Sequence, residues 1–95
     1  MFDKILRFSE QTIETVWRKG RTAPGHSPDL YRQDICGATI KRSEYGNRNS
    51  DYGWEIDHIN PNGSDDLSNL RPLQWENNVA KNDKRDGEWT CATTI

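Results

Sequence analysis

Gly53-Trp54-Glu55-Ile56-Asp57-His58-Ile59 alternates between residue types, and the fold turns on how that stretch is read. Alternation is the mark of a strand, because successive side chains point to opposite faces. Trp54, Ile56 and His58 are therefore expected on one side. Residues 60–68 are rich in Pro, Gly, Asn, Ser and Asp and read as an irregular loop. Residues 70–74 read as a second short strand, with Pro72 marking an edge, since proline cannot donate to a ladder. Residues 75–84 read as a helix whose apolar residues are chiefly Trp75 and Val79. So polar a helix is not held by propensity alone; it needs packing or a ligand. Strand, loop, strand and helix can then fold back, facing the end of the first strand toward the first turns of the helix.

A cleft between those elements would hold useful chemistry. Asp57 offers a hard carboxylate and Asn78 a hard carbonyl oxygen, the donor types that suit Mg²⁺ and leave positions for water and a phosphate. His58 suits a general base, its other ring nitrogen expected to be oriented by a backbone carbonyl or an amide. Arg71 and Lys81 are placed to meet a phosphate backbone. Metal, base and cationic clamp are the components of hydrolytic attack on a phosphodiester.

Three pieces recur in order: Gly53-Trp54-Glu55-Ile56-Asp57-His58-Ile59-Asn60-Pro61, then Leu67-Ser68-Asn69-Leu70-Arg71-Pro72-Leu73, then Trp75-Glu76-Asn77-Asn78 with Lys81. Together they resemble the HNH endonuclease family, which is built on the ββα-metal fold. A looser likeness to the lead-in strands of small stand-alone bacterial members runs upstream through Asp34-Ile35-Cys36-Gly37, Ile40 and Tyr45-Gly46. The resemblance implies His58 as the base that activates water, and Asp57 and Asn78 as metal ligands. It implies Asn69 as the middle Asn, which pins the loop and helps hold the base. Trp54 and Leu73 would be core residues beneath the site. Asn77 and Asn82 receive no firm role, Asn82 either reaching the site or capping in solvent.

Two departures from that family matter. Many members bind a structural zinc through two Cys-x-x-Cys pairs. Here Cys36 stands at the first position, but Thr39 stands three residues on, and Gln74 and Asn77 stand where the second pair would fall. No structural zinc is expected. Asn at the final position, where many members have His, favours an oxygen-rich Mg²⁺ or Mn²⁺ site.

Outward from this segment, residues 9–19 read as the best helix. Ser9 can cap it, Ile13, Val16 and Trp17 share a face that packs into the core, and Gly20 can stop it. Residues 21–29 contain Pro24, Gly25 and Pro28 and read as a loop, with His26 a surface residue. Residues 30–35 and 38–42 read as a hairpin around Cys36-Gly37. Residues 85–95 read as a disordered tail. The expected class is α+β: a small ββα-metal core at 54–84, within a nuclease domain spanning 30–84, preceded by a short β-hairpin and an N-terminal helix.

The 95 residues fit one domain, since independent domains run to roughly 100–200. At 32% hydrophobic, 29% charged and a mean hydropathy of -1.06, the core must be small. No apolar run approaches the roughly 18 residues of a membrane span, and residues 1–7 lack the apolar stretch of a signal peptide. Cys36 and Cys91 read as free thiols in a reducing cytoplasm.

The net charge of -2 at first argues against a nucleic-acid partner. Its distribution removes the objection: residues 1–15 carry -1, residues 16–48 carry +4 and residues 49–95 carry -5. The basic middle segment, which includes Lys41 and Arg42, can track a phosphate backbone, while a divalent ion offsets the acidic half. The expectation is a metal-dependent endonuclease acting on double-stranded DNA, as a monomer or a weak dimer, with little sequence specificity. The rival is an inactive nucleic-acid-binding module on the same scaffold.

Overall fold

Ser9 opens the first helix as expected: its hydroxyl accepts the Thr12 amide at 3.1 Å and caps α1, Glu10–Trp17. The computed structural model describes residues 8–95, so the reading of residues 1–7 lies outside the described residues. After α1 come β1 (Arg21–Thr22), β2 (Tyr31–Gln33), β3 (Thr39–Lys41), β4 (Trp54–His58), β5 (Leu70–Gln74) and α2 (Trp75–Lys81), with one-turn 3-10 segments at Arg42–Glu44 and Leu67–Asn69. The chain is α+β.

The strands form two antiparallel sheets, one in the order β1-β2-β3 and one pairing β4 with β5. The expected hairpin is there, Tyr31 facing Lys41 and Gln33 facing Thr39. One strand was not expected. Arg21 and Thr22, at the head of a Pro- and Gly-rich run, pair with Gln33 and Arg32 before the chain turns away. In the second sheet Trp54 faces Gln74, Asp57 faces Arg71 and His58 faces Leu70.

Ile13, Val16 and Trp17 of α1 pack with Ile40, Trp54 and Leu70 into one core, joined at its edge by Phe8, Tyr45 and Ile56. The Trp17 and Trp54 rings lie 5.3 Å apart, and Tyr45 stacks obliquely on Trp54 at 4.9 Å. Large aromatics thus supply burial that the sparse aliphatic content cannot. Trp54 and Leu73 are fully buried, as expected. Gly53 precedes β4 because a Cβ there would meet the Asn47 carbonyl oxygen at 1.8 Å.

Helix α2 ends sooner than the sequence reading put it. Asn82, with a positive φ of 53°, donates its amide to the Asn78 carbonyl and closes the helix, which gives that asparagine a capping role.

Two expectations about the C-terminal end are corrected. Residues 85–95 are not a disordered tail, and the cysteines are not free: Cys36 and Cys91 form a disulfide. Asn77 explains the docking. Its buried amide accepts the Ala92 and Thr93 amides at 2.7 and 2.9 Å and donates to the Thr93 carbonyl at 3.0 Å. A helix residue that reads as solvated surface instead binds the tail, and that brings Cys91 to Cys36.

The turn around Cys36-Gly37 is held by Asp34. Its buried carboxylate accepts the Cys36 and Ala38 amides through one oxygen and the Gln74 amide and Asn77 side chain through the other, all at 2.9–3.0 Å. Gln74 and Asn77, at which the sequence offers no thiolates, instead supply two of the four donors.

Candidate active site

The loop between β4 and β5 is organised by Asn69. Its side-chain oxygen accepts the Asn60 amide at 2.9 Å, and its nitrogen donates to the carbonyls of Asn60 and Ser64 at 3.1 and 2.9 Å. Gly63 makes room for this, since a Cβ there would meet the Asn69 side-chain nitrogen at 2.6 Å. Asn69→Ala is expected to lower stability by about 1–2 kcal/mol, because it leaves loop groups without partners. Melting and activity should fall together. Loss of activity with an unchanged melting curve would instead give Asn69 a direct part in the chemistry.

The pinned loop delivers Asp65 to His58. The Asp65 carboxylate lies 2.6 Å from the Nε2 nitrogen of His58. An ionised carboxylate only accepts hydrogen bonds, so in the tautomer that satisfies this contact Nε2 donates to Asp65 and Nδ1 is the nitrogen left to accept a proton. The orienting group is thus a carboxylate rather than the backbone carbonyl or amide expected. Asp65 went unnoticed in the sequence because an acidic residue in a Ser-Asp-Asp loop reads as solvated. Its spacing of seven residues beyond His58 was the only signal.

On the opposite face of β4, Glu55 and Asp57 look toward α2. Asp57 is 4% exposed, and both its oxygens are taken: Arg71 Nε lies 2.9 Å from one and Lys81 Nζ 3.1 Å from the other. Lys81 also donates to the His58 carbonyl at 2.9 Å. At 1% exposure Lys81 is an internal cation, not the surface contact for phosphate expected of it. Asn78 donates its amide nitrogen to Glu55 at 2.8 Å, which commits the nitrogen and leaves the oxygen as the donor for a cation. Glu55 in turn binds Arg48 through both oxygens, at 2.6 and 2.9 Å.

Arg71 is a relay between two carboxylates. Its NH1 and NH2 nitrogens bind Asp86 of the tail at 2.9 and 2.7 Å, while Nε holds Asp57. The Arg71 guanidinium, with smaller help from Trp89, lowers the Asp86 carboxyl to about 2. Lys41 and Arg42 lie apart from this group. Lys41 sits over the Tyr31 ring at 5.7 Å, and Arg42 is bound to Glu14 at 3.0 Å and Glu10 at 3.2 Å.

Among the described residues no three His, Cys, Asp or Glu side chains converge to hold a metal ion. The donor chemistry of Asp57 and Asn78 still suits a hard divalent cation that keeps most of its shell as water and phosphate oxygen. Such an ion must compete with Lys81 and Arg71 for Asp57.

Comparisons with protein-family models, with curated proteins and with solved structures give no match. No helix among the described residues is long and apolar enough to cross a membrane.

Proposed function

We propose that this chain is a metal-dependent endonuclease that hydrolyses phosphodiester bonds of nucleic acid, with DNA as its substrate. The observation that carries the proposal is the Asp65–His58 pair at the end of β4, set on a loop that Asn69 clamps. A surface histidine without a function has no need of a carboxylate at one nitrogen and an ordered loop to hold that carboxylate. A histidine that must take a proton from water needs both: one nitrogen kept unprotonated, and a negative charge to stabilise the imidazolium that forms.

Asp57 and Asn78 would hold Mg²⁺ or Mn²⁺ through oxygen. When bound, the ion supplies positive charge beside the phosphate and stabilises the charge that develops there. Lys81 anchors the carbonyl of His58 and one oxygen of Asp57, so it couples the base to the acidic face of the same strand.

One observation favours the second reading, a nucleic-acid-binding module without activity. Asp57 is already balanced by Lys81 and Arg71, as a scaffold carboxylate would be. Supercoiled plasmid incubated with Mg²⁺ or Mn²⁺, with the disulfide intact and with it reduced, separates the two. The endonuclease nicks the plasmid and stops when EDTA is added, and Mg²⁺ shifts the NMR signals of Asp57 and Asn78. Intact plasmid with both ions in both redox states, alongside gel-shift binding that survives EDTA, selects the binding module.

A further inference from the structure

Arg71 opens onto a cleft of about 110 Å³ that it shares with Lys19 and Arg21. The other two cations hold carbonyls. Lys19 donates to the Leu67 and Leu70 carbonyls and Arg21 to the Ile35 carbonyl at 2.8 Å, so among the described residues neither has a carboxylate partner. A carbonyl orients a cation without cancelling its charge. Asp34 is the one acidic residue in the lining, but its buried carboxylate is turned to four N–H donors of the fold, so three cations face one carboxylate, and Arg71 stands at the boundary with Asp57.

The outer edge of Arg71 is where the tail intervenes. Asp86 meets the guanidinium through two parallel N–H···O contacts, the geometry in which arginine takes a phosphate. The carboxylate is presented by a turn in which Glu88 and Arg85 bond one another, Gly87 takes a φ of 91°, and the Trp89 indole steadies Asp86 at 3.1 Å. Beyond that turn, the tail is held by the Asn77 contacts, by Ile95, whose carbonyl accepts the Thr39 amide at 3.2 Å, and by the Cys36–Cys91 bond.

We propose that Lys19, Arg21 and Arg71 form a subsite for a backbone phosphate of nucleic acid, and that Asp86 occupies its Arg71 edge for as long as the disulfide holds the tail down. The proposal rests on the nucleic-acid reading above and adds the subsite and its control. Opening requires a dithiol reductant. One thiolate attacks a sulfur of the Cys36–Cys91 bond, the second thiol resolves the mixed disulfide, and two cysteine thiols form as the reductant becomes a disulfide. Residues 82–95 form no helix or strand, so once the crosslink is gone they are held only by hydrogen bonds and one ion pair, chiefly those of Asn77, Thr39 and Arg71, and can open locally. A polyanion can then displace Asp86 from Arg71.

The test measures binding of the full chain to a short duplex DNA by fluorescence anisotropy in EDTA, so that cleavage plays no part. Oxidised protein, reduced protein, Asp86→Asn and Cys91→Ser are compared over a range of salt. Reduction and Asp86→Asn should each tighten binding by at least about fivefold. Each should also steepen the dependence of log affinity on log salt by about one, the signature of one more phosphate contact. Cys91→Ser should bind as the reduced protein does, with or without reductant. Hydrogen exchange should show residues 84–95 losing protection on reduction. Binding that is indifferent to Asp86→Asn, or to reduction, overturns the proposal and leaves the nuclease reading intact. No binding by any form, with the tail still released on reduction, overturns the nucleic-acid reading and the subsite with it.

Discussion

Asp34→Ala should lower the stability of this chain by at least about 3 kcal/mol, since a buried donor left unsatisfied costs about 1–3 kcal/mol and three of the four donors to this carboxylate are buried. For a domain of this size each kcal/mol moves the melting midpoint by roughly 4–8 °C, so a fall on the order of 12–24 °C or more is expected. The large effect follows from where the four donors lie. Two come from the turn around Cys36-Gly37 and two from the junction of β5 with α2, so the carboxylate joins halves of the molecule distant in sequence. Alanine leaves the Ala38 and Gln74 amides and one N–H of the Asn77 side chain buried without an acceptor, while the other Asn77 N–H keeps the Thr93 carbonyl. Asp34→Asn should be nearly as damaging, because its amide nitrogen would face donors. Thermal melts of both variants with the disulfide intact check this. A loss below about 1 kcal/mol in Asp34→Ala would mean that the disulfide and the tail hold the turn without it.

The same residue marks the limit of what the sequence discloses. Periodicity exposed the parts of the fold that are local: the stripe Ile13, Val16 and Trp17, the alternation of Trp54 to His58, and the strand Leu70–Gln74. The position of His58 at the strand end and the loop clamp of Asn69 were legible because their spacing is tied to a short strand–loop–strand unit. Asp34, Asn77, Lys81 and the Cys36–Cys91 pair were not, because each takes its meaning from a partner that only the tertiary fold supplies. A lysine on a polar helix reads as solvated until a buried carboxylate faces it. Two cysteines separated by 55 residues read as unrelated until Asn77 binds the segment carrying one of them. Arg71 was read as a phosphate contact without its two carboxylates, Asp57 and Asp86.

His58→Ala should slow metal-dependent nicking by about 10²–10⁴-fold, the usual contribution of a positioned general base and roughly 3–5 kcal/mol of barrier. Folding should hardly change. The His58 side chain is 22% exposed and hydrogen-bonds Asp65, whereas Lys81 holds the backbone carbonyl, which alanine keeps. Asp57→Ala is a poorer probe, because it strands Arg71 and the buried Lys81 without their shared carboxylate. A drop in rate there would mix lost chemistry with lost structure.

The central claim, that His58 is the base of a metal-dependent nuclease, is tested most directly by the rate of nicking of one supercoiled plasmid by wild type and His58→Ala. Both proteins are reduced, matched in melting midpoint and assayed in Mg²⁺. Cleavage by the wild type, with a loss of at least about 10²-fold in the variant, is the predicted result. Equal rates from the two proteins would contradict it.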